Sequence, residues 1–467
     1  MVPFLPKQIA TKGIYIYLGT LTVVSLVLIN YAMDWEFLLL GVMWVVGFFG
    51  LSSFFSKYWL VVSKERFAYS LFFMSLGIRV FWVIFSYHFY ISKTGQPFEF
   101  AAADSLWYYE DSVRLQDLPI SSIWKTLFVF SPTVSDSGYM FFLSLLGKIT
   151  GKSILLPRLV NSAFSAYTNV LLYRLASRNV GEEGGRLAAV FACFMPNLVY
   201  YCGLHLKEVI MLFLMVAYLE RADYLLRSRK VNVWTVLLPI VLLVSLFTFR
   251  TVLGITAAFA FITALLFMHT SVVGRRKRVL IIAWGVLAIS TLMGSTIMNE
   301  VESVWEGRNT NQETKRLQQT NRGQRWAKYA TGTVMAPMMF VLPFPTMVNV
   351  DEQYNQQVLS GGNYVRDFMG GFVLLALFSA IFVKKNWRDL SLLGSFLIGY
   401  LGVISMSGFS NSERFLLPGL PLLLIFAAYG ITLLDAKNYR WVKIWYWIVP
   451  LMVAGWAIFK LGSRGLL

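Results

Sequence analysis

Thirteen hydrophobic stretches divide this chain, and each is long enough to cross a bilayer as a helix. In lipid, backbone N–H and C=O groups must pair within the protein, so only helices and closed barrels can span the membrane. The alternating pattern of barrel strands does not recur in the sequence. We therefore expect an all-α polytopic membrane protein with about 13 transmembrane helices. The predicted spans are 13–33, 35–56, 68–91, 154–176, 186–204, 208–226, 232–249, 251–270, 278–298, 366–383, 390–407, 415–434 and 442–460.

Composition supports this class. Of 467 residues, 57% are hydrophobic and only 14% are charged, whereas a soluble domain carries roughly 25% charged residues. The formal net charge of +17 would suggest nucleic acid as the partner of a soluble protein. Here most basic residues lie in short loops between spans, where they report orientation. The sequence therefore predicts membrane lipids as partners and no nucleic acid.

The charge of the loops predicts the topology. With a cytoplasmic N-terminus, every inner loop is basic, including the run at 275–278. The stretch 92–153 is mixed and falls outside, as the positive-inside rule requires. We expect a multi-pass protein of the inner (plasma) membrane, with 92–153 and 299–365 facing the periplasm or outside. The apolar pieces 138–147 and 330–348 are too short or too broken to cross, and we expect them to be juxtamembrane or re-entrant.

Four regions follow from this topology. They are two N-terminal spans (1–67), a core of helices with a first outer loop at 92–153 (68–298), an outer basic cap or lid (299–365) and the C-terminal spans (366–467).

The most informative polar segment follows the third span. It contains Asp104, Trp107, Tyr108, Glu110 and Asp111. A carboxylate near lipid costs free energy, so an acidic cluster there indicates a function. If the segment is helical, Asp104 and Asp111 share a face. The aromatic side chains suit either a sugar ring or the membrane interface, so an acidic loop with interfacial anchors is the alternative.

A second polar group lies in the outer turn between the fifth and sixth spans. Here His205 precedes Lys207 and Glu208, and Glu208 opens a helix, where the dipole stabilises a carboxylate. Two outer carboxylates from separate loops, Asp104 and Glu208, are what proton transfer at a sugar hydroxyl requires. The alternative is a plain turn with a snorkelling lysine.

Outward-facing arginines form the third set of candidates, because arginine binds phosphate through two parallel hydrogen bonds. They are Arg158, Arg250, Arg366 and Arg414. The alternative role is anchoring to lipid headgroups. No Gly-rich nucleotide loop and no metal-ligand spacing is present, so we expect neither cofactor nor metal. Cys193 and Cys202 lie nine positions apart in one predicted helix, beyond disulfide reach.

In the order of its motifs the chain resembles the GT-C superfamily of membrane glycosyltransferases, of the polyprenyl-phosphate-sugar-dependent mannosyl- and aminoarabinosyltransferase type. The motifs that carry the resemblance are Asp104 in Ala-Asp-Ser-Leu-Trp-Tyr-Tyr-Glu-Asp, the run 138–151, Leu156 to Asn161, Met195-Pro196 through Tyr200-Tyr201, and Glu413 to Pro418. The resemblance covers residues 68 to 435. It implies a seven-helix core in spans three to nine and a catalytic base at Asp104.

The function expected is transfer of a sugar from a polyprenyl-phosphate carrier to a glycan, lipid or protein acceptor at the outer face. Asp104 would deprotonate the acceptor, and Arg250 and Arg414 would stabilise the leaving phosphate. One alternative is a polymerase or ligase of lipid-linked glycans, which would use the same chemistry on longer substrates. A second is a flippase of lipid-linked oligosaccharides, which would need no outer carboxylate.

Overall fold

The computed structural model describes residues 3–130, 134–228, 232–268, 340–341, 343–350, 353–406 and 412–462. Within these ranges all regular structure is helical and no strand occurs, as the sequence predicts. The predicted span 278–298 and residues 299–339 of the predicted cap lie outside the described residues.

The helices before residue 269 are α1 (Lys7–Val27), α2 (Trp35–Tyr58), α3 (Lys64–Thr94), α4 (Ala103–Gln116), α5 (Ile120–Trp124), α6 (Ser137–Thr150), α7 (Leu155–Phe194), α8 (Pro196–Tyr200), α9 (Glu208–Arg227), α10 (Val233–Phe249) and α11 (Thr251–Phe267). Those after residue 352 are α12 (Tyr354–Val358), α13 (Ser360–Phe378), α14 (Ser391–Met406), α15 (Glu413–Leu416), α16 (Leu420–Thr432) and α17 (Tyr439–Gly462).

Six helical segments of the described chain are long and apolar enough to cross a membrane. They are Lys7–Val27, Trp35–Val61, Lys64–Thr94, Ser360–Val383, Glu413–Thr432 and Tyr439–Gly462. Helices also coincide with the other predicted spans before residue 269 and with 390–407. Of these, α10 and α11 have 17 residues and α14 has 16, and α9 carries five charged residues. A total of thirteen spans therefore stays a prediction.

Local sequence sets the helix ends. Ser63 caps α3 by accepting a hydrogen bond from the Arg66 backbone N–H, and α3 ends at Gly95, whose φ of 75° suits glycine. At Gly181 in α7 the backbone turns to φ 83°, ψ 166°, so two helices meet there, close to the boundary predicted between spans four and five. A further break at Met195 precedes Pro196. Cys193 and Cys202 are therefore in different elements, and both are free and buried.

A buried arginine joins α3 to α7. Arg79 has no exposed surface, and its Nε donates to Ser165 Oγ at 2.7 Å. Its two terminal nitrogens donate to the carbonyls of Cys193 and Ala192 at 3.2 and 3.1 Å. A buried cation is tolerated only when its donors are paired in this way. Arg79 therefore fixes α3 against both parts of α7, before and after Gly181.

Close contact between helices depends on glycine at two places in the C-terminal half. A Cβ on Gly430 in α16 would lie 2.0 Å from the Phe372 carbonyl oxygen of α13. A Cβ on Gly361 would lie 2.4 Å from the carbonyl of Gly41 in α2. Small residues allow membrane helices to approach to backbone contact. These contacts hold α13 between α2 and α16.

An ion-pair cluster closes the C-terminal end of α9. Arg178 pairs with Glu220 at 2.9 Å and with Asp223 at 2.8 Å, and Arg227 pairs with Asp223 at 2.9 Å. The Glu220 and Asp223 side chains are almost fully buried, and these cations compensate them. The cluster ties α7 to α9. Glu208, at the N-terminal end of α9, takes no part in these ion pairs.

Candidate functional site

Asp104 lies in the first turn of α4, where the first four backbone N–H groups of a helix have no partner within the helix. Its side chain is 58% exposed, so a substrate can reach it. Ala101, just before the helix, has a φ of 50°, which is strained for a residue with a Cβ. The backbone therefore turns sharply before Asp104 is presented at the surface of the bundle.

Glu208 is the first residue of α9, and its side chain has no exposed surface. The segment before it makes a tight turn through Tyr201–Gly203. Gly203 approaches α3 closely, since a Cβ there would lie 2.3 Å from Ser86 Oγ. This contact fixes the turn and directs the Glu208 carboxylate into the protein instead of into solvent.

Arg414 joins these two carboxylates. In α15, its Nη1 donates to Asp104 Oδ2 and its Nε donates to Glu208 Oε1. The partners are 310 and 206 positions away in the sequence. The Arg414 side chain is 19% exposed, so the pair with Glu208 is largely desolvated, while the pair with Asp104 opens to solvent.

Arg250 lies behind Glu208, where extended backbone (φ −163°) separates α10 from α11. Its Nη2 is 3.8 Å from Glu208 Oε1. Its guanidinium carbon lies 4.6 Å from the centroid of the Phe415 ring, a cation–π contact next to Arg414. Two arginines therefore flank one buried carboxylate.

A further carboxylate, Asp136, enters the site from the residue before α6. It accepts hydrogen bonds from Lys207 Nζ and, at 3.1 Å, from the Tyr108 hydroxyl. Lys207 also donates to the Phe249 carbonyl at 2.8 Å. Asp136 is in the left-handed region at φ 73° and makes no side-chain cap, so its carboxylate is free for these contacts. Asp136 was not among the predicted site residues, although an Asp before an apolar helix is a visible signal for a helix start.

These side chains form a charged network contributed by five separate parts of the chain. Its members are Asp104, Asp136, Lys207, Glu208, Arg250 and Arg414. Three carboxylates face three cations, so the network is formally neutral. The exposed side chains are the two carboxylates Asp104 and Asp136, with 58% and 37% exposure, whereas Lys207 is 5% exposed.

The environment of the network changes two proton affinities. Burial, with Arg250 and Arg414 nearby, lowers the pKa of Lys207 to about 7, while Glu208 and Asp104 act in the opposite direction. Burial raises the pKa of Tyr108 above its ordinary value. The Tyr108 hydroxyl therefore stays protonated and donates to Asp136, and Lys207 is poised to lose its charge near neutral pH.

Three of the predicted ligands lie elsewhere. Arg158, expected to face outward, is fully buried, and its Nη2 donates to the Pro97 carbonyl at 2.6 Å. Arg366 is also buried and donates to the carbonyls of Val341 and Pro343. His205 is 2% exposed, not a surface turn residue. These three side chains are therefore enclosed by the protein, and their roles as ligands stay predictions.

The acidic segment is only partly brought into the network. Asp111 lies on the same helix as Asp104 but pairs with Arg114 at 2.7 Å. Glu110 is exposed, and Trp107 is 46% exposed, so both remain at the surface of α4. Among the described residues, no group of three or more His, Cys, Asp or Glu side chains is arranged to hold a metal ion.

No family model and no curated protein matches the sequence. Among solved structures, the chain is similar to the Archaeoglobus fulgidus oligosaccharyltransferase in complex with zinc and sulfate, with a TM-score of 0.45 and 13% identity over 83% of this chain. It is also similar to the archaeal oligosaccharyltransferase AglB from the same organism, in complex with an inhibitory peptide and a dolichol-phosphate, with a TM-score of 0.47 and 14% identity over 85% of this chain. The chain spans about half the length of these proteins, covering 53% and 55% of them.

Proposed function

We propose that this chain is an integral-membrane glycosyltransferase that moves a sugar from a polyprenyl-phosphate carrier to an acceptor hydroxyl, with Asp104 as general base. The observation that carries the proposal is the contact of Arg414 with both Asp104 and Glu208. It joins an exposed carboxylate to a guanidinium, a group well suited to bind phosphate, at one place on a helical membrane protein. The order of motifs that resembles the GT-C superfamily supports the same activity.

The reaction needs few groups. The acceptor oxygen forms a bond to the anomeric carbon as the bond from that carbon to the phosphate oxygen breaks. The acceptor proton passes to Asp104, whose side chain is accessible. The electron pair of the broken bond leaves with the lipid phosphate. A phosphate is a good leaving group, so orientation and electrostatic stabilisation can account for most of the rate.

Arg414 and Arg250 are placed to stabilise the leaving phosphate. Both are arginines next to the buried Glu208, which holds their charges in position. Arg414 also reaches the exposed edge of the network through Asp104. A phosphate entering there would take over hydrogen bonds that Arg414 now makes to Asp104, and would free that carboxylate to accept a proton. In this role Glu208 positions both arginines.

We also propose that the site faces the periplasm or outside of an inner (plasma) membrane. The basic inner loops support this orientation. Ser121, exposed in α5, is a suitable reporter because it lies in the same outer segment as Asp104. A cysteine at Ser121 should react with an impermeant maleimide added outside intact cells. Reaction only from the cytoplasmic side would reverse the topology.

The proposal is tested with purified protein in lipid nanodiscs and a polyprenyl phosphate that carries radiolabelled glucose. Glycosyl transfer releases sugar-free polyprenyl phosphate and labels an acceptor or, slowly, water. Product length separates a single transfer from polymerisation. In proteoliposomes, movement of the intact labelled lipid across the bilayer without cleavage would instead favour a flippase.

A further inference from the structure

A second cluster of polar side chains lies behind α4 and is separate from the charged network. We call it the inner chamber. Its members are Glu99, Tyr139, Arg158, Asn161 and His205, all buried to nine-tenths or more. They come from the loop after α3, from α6, from α7 and from the turn before α9. Polar groups are rarely enclosed in this number without partners.

Many of their atoms have no hydrogen-bond partner in the part of the chain that the structure describes. These atoms are Glu99 Oε2, Tyr139 Oη, Arg158 Nε and Nη1, Asn161 Oδ1 and Nδ2, and His205 Nδ1 and Nε2. An unpaired buried polar atom destabilises the fold, because it loses its hydrogen bonds to water. Eight such atoms in one cluster indicate that something else satisfies them.

Two of the members, Arg158 and His205, face the same aromatic ring, Phe98. The guanidinium carbon of Arg158 lies 5.6 Å from the centroid of Phe98. The His205 ring lies 6.5 Å from the same centroid, edge-on, and 6.0 Å from the ring of Tyr109. The inner chamber therefore combines polar atoms with aromatic faces, which suits a ligand that has both polar edges and apolar faces.

Two contacts connect the inner chamber to the charged network. Ser105, next to Asp104, donates to Glu99 Oε1 at 2.6 Å. On the other side, the ring of Tyr139 packs edge-on against Tyr108 at 5.0 Å, and the Tyr108 hydroxyl bonds to Asp136. A ligand in the chamber would therefore lie directly behind the carboxylate that we propose as general base.

The chemistry of the unpaired atoms identifies the class of ligand. Arg158 offers donors, Glu99 offers an acceptor, and Asn161 and Tyr139 offer both. Burial, with Arg158 nearby, lowers the pKa of His205 to about 3, so its imidazole is neutral, with one donor and one acceptor nitrogen. An anion would require donors alone and a cation acceptors alone. A mixed set matches hydroxyl groups, each of which both donates and accepts.

The loop at 95–102 covers the chamber. It supplies Phe98 and the Pro97 carbonyl that accepts from Arg158. Both ends of the loop have positive φ, 75° at Gly95 and 50° at Ala101. Glycine adopts this conformation easily and alanine only under strain. The backbone therefore turns sharply at both ends of the loop, which places Phe98 and the Pro97 carbonyl against Arg158.

We propose that the inner chamber binds the sugar of the lipid-linked donor, a neutral ring rich in hydroxyls, while its phosphate lies against Arg414 and Arg250. This inference rests on the proposed function and specifies its substrate. Tyr139, Asn161 and His205 would recognise the sugar hydroxyls. The loop 95–102 would cover the bound sugar ring. The sugar would then meet the acceptor at Asp104.

The test compares two probes on full-length protein in nanodiscs: polyprenyl phosphate, and the same lipid carrying glucose. The ratio of the two affinities measures how much the sugar adds to binding of the lipid phosphate. The variants Tyr139→Phe, Asn161→Leu and His205→Phe remove polar atoms that have no partner within the described protein, so their melting temperatures should not fall. Tyr17→Phe is the matched control, since it removes an equally unpaired buried hydroxyl from α1.

We expect the glucosyl lipid to bind wild-type protein more tightly than the bare lipid phosphate. Each chamber variant should reduce that ratio roughly tenfold, the usual effect of one lost hydrogen bond to a ligand, without changing the affinity for the bare phosphate. Tyr17→Phe should leave the ratio unchanged. A ratio that all three chamber variants leave intact would overturn the inference and would indicate a chamber filled by water. If wild-type protein binds neither lipid, the proposed function fails and the assignment of the chamber fails with it.

Discussion

The guanidinium of Arg414 donates to the carboxylate of Glu208, a side chain with no exposed surface. Burying a carboxylate stabilises a fold only if a cation compensates it, so this pair has a structural cost that a surface pair would not have. The same guanidinium also donates to the exposed Asp104. Arg414 therefore connects the interior of the bundle to its accessible surface.

Replacing Asp104 by asparagine should reduce turnover by roughly 10²–10⁴-fold, the usual effect of losing a general base. The amide keeps the shape of the side chain, and the position is largely exposed, so the melting temperature should hardly change. Initial rates of sugar transfer measure the effect. Asp117→Asn, which alters an exposed carboxylate at the end of the same helix, is the matched control and should transfer at the wild-type rate. Near-normal turnover in Asp104→Asn would refute its role as base.

Replacing Arg414 by alanine should weaken donor binding and also destabilise the protein by about 3–5 kcal/mol, because Glu208 would lose its main partner. Arg414→Lys restores a charge but not the two parallel donors, so it should recover stability better than donor affinity. Thermal unfolding and binding of polyprenyl phosphate separate the two effects. Arg114→Ala, which removes a 74% exposed arginine that pairs with the neighbouring Asp111, should change neither. Unchanged donor affinity in both Arg414 variants would place the phosphate site elsewhere.

Lys207 predicts a dependence of stability on pH. Burial lowers the pKa of Lys207 in the folded protein to about 7, from its ordinary value of 10.5. Between these values the unfolded chain binds more protons than the folded one, so stability should rise with pH across that window. Below a pH of about 7, Lys207 is protonated in both states, and the folded state carries the full free-energy cost of burying its charge. The groups that face Lys207 are Asp136, Arg250, Glu208, Arg414 and Asp104.

The comparison is with Lys207→Met, which cannot titrate. The melting temperature of wild-type protein relative to this variant should increase as pH rises from about 7 towards 10.5. A difference that stays flat over the same range would mean that Asp136 keeps Lys207 protonated, because the folded and unfolded chains would then bind the same number of protons there.

Much of the helical architecture could be predicted because a long apolar stretch has few alternatives in lipid. The stretch 35–56, for example, is found as Trp35–Tyr58. Asp104, Lys207, Glu208, Arg250 and Arg414 could be selected as candidates, since charges beside apolar spans are conspicuous. Their pairing could not be predicted, because it depends on contacts between residues hundreds of positions apart.

Other features could not be predicted from the sequence, for a physical reason. Arg158 and Arg366 have the same local pattern as Arg414, an arginine near the end of an apolar span. Only packing determines that they donate to backbone carbonyls inside the protein. Asp136 was missed because an isolated Asp near a Gly is usually a turn residue, and its partner Lys207 comes 71 positions later.

Arg414 is held in place through the residue that precedes it. The preceding residue, Glu413, is buried and accepts a hydrogen bond from Asn363 Nδ2, and Asn363 in turn accepts one from Asn197 at 3.1 Å. This chain of hydrogen bonds anchors α15 to α13 and α8, so we expect Asn363→Leu to displace Arg414 as well as to destabilise the protein by roughly 1–3 kcal/mol. Glu413→Gln keeps the accepting oxygen and should change little.

A double-mutant cycle of Asn363→Leu with Arg414→Lys, read out as affinity for polyprenyl phosphate, separates positioning from general destabilisation. If Asn363 acts through Arg414, the two substitutions together should weaken binding by less than the sum of their separate effects, since the second change disturbs a side chain that is already displaced. Additive losses would show that Asn363 supports the fold alone, and that α15 keeps Arg414 in register without its hydrogen-bonded anchor.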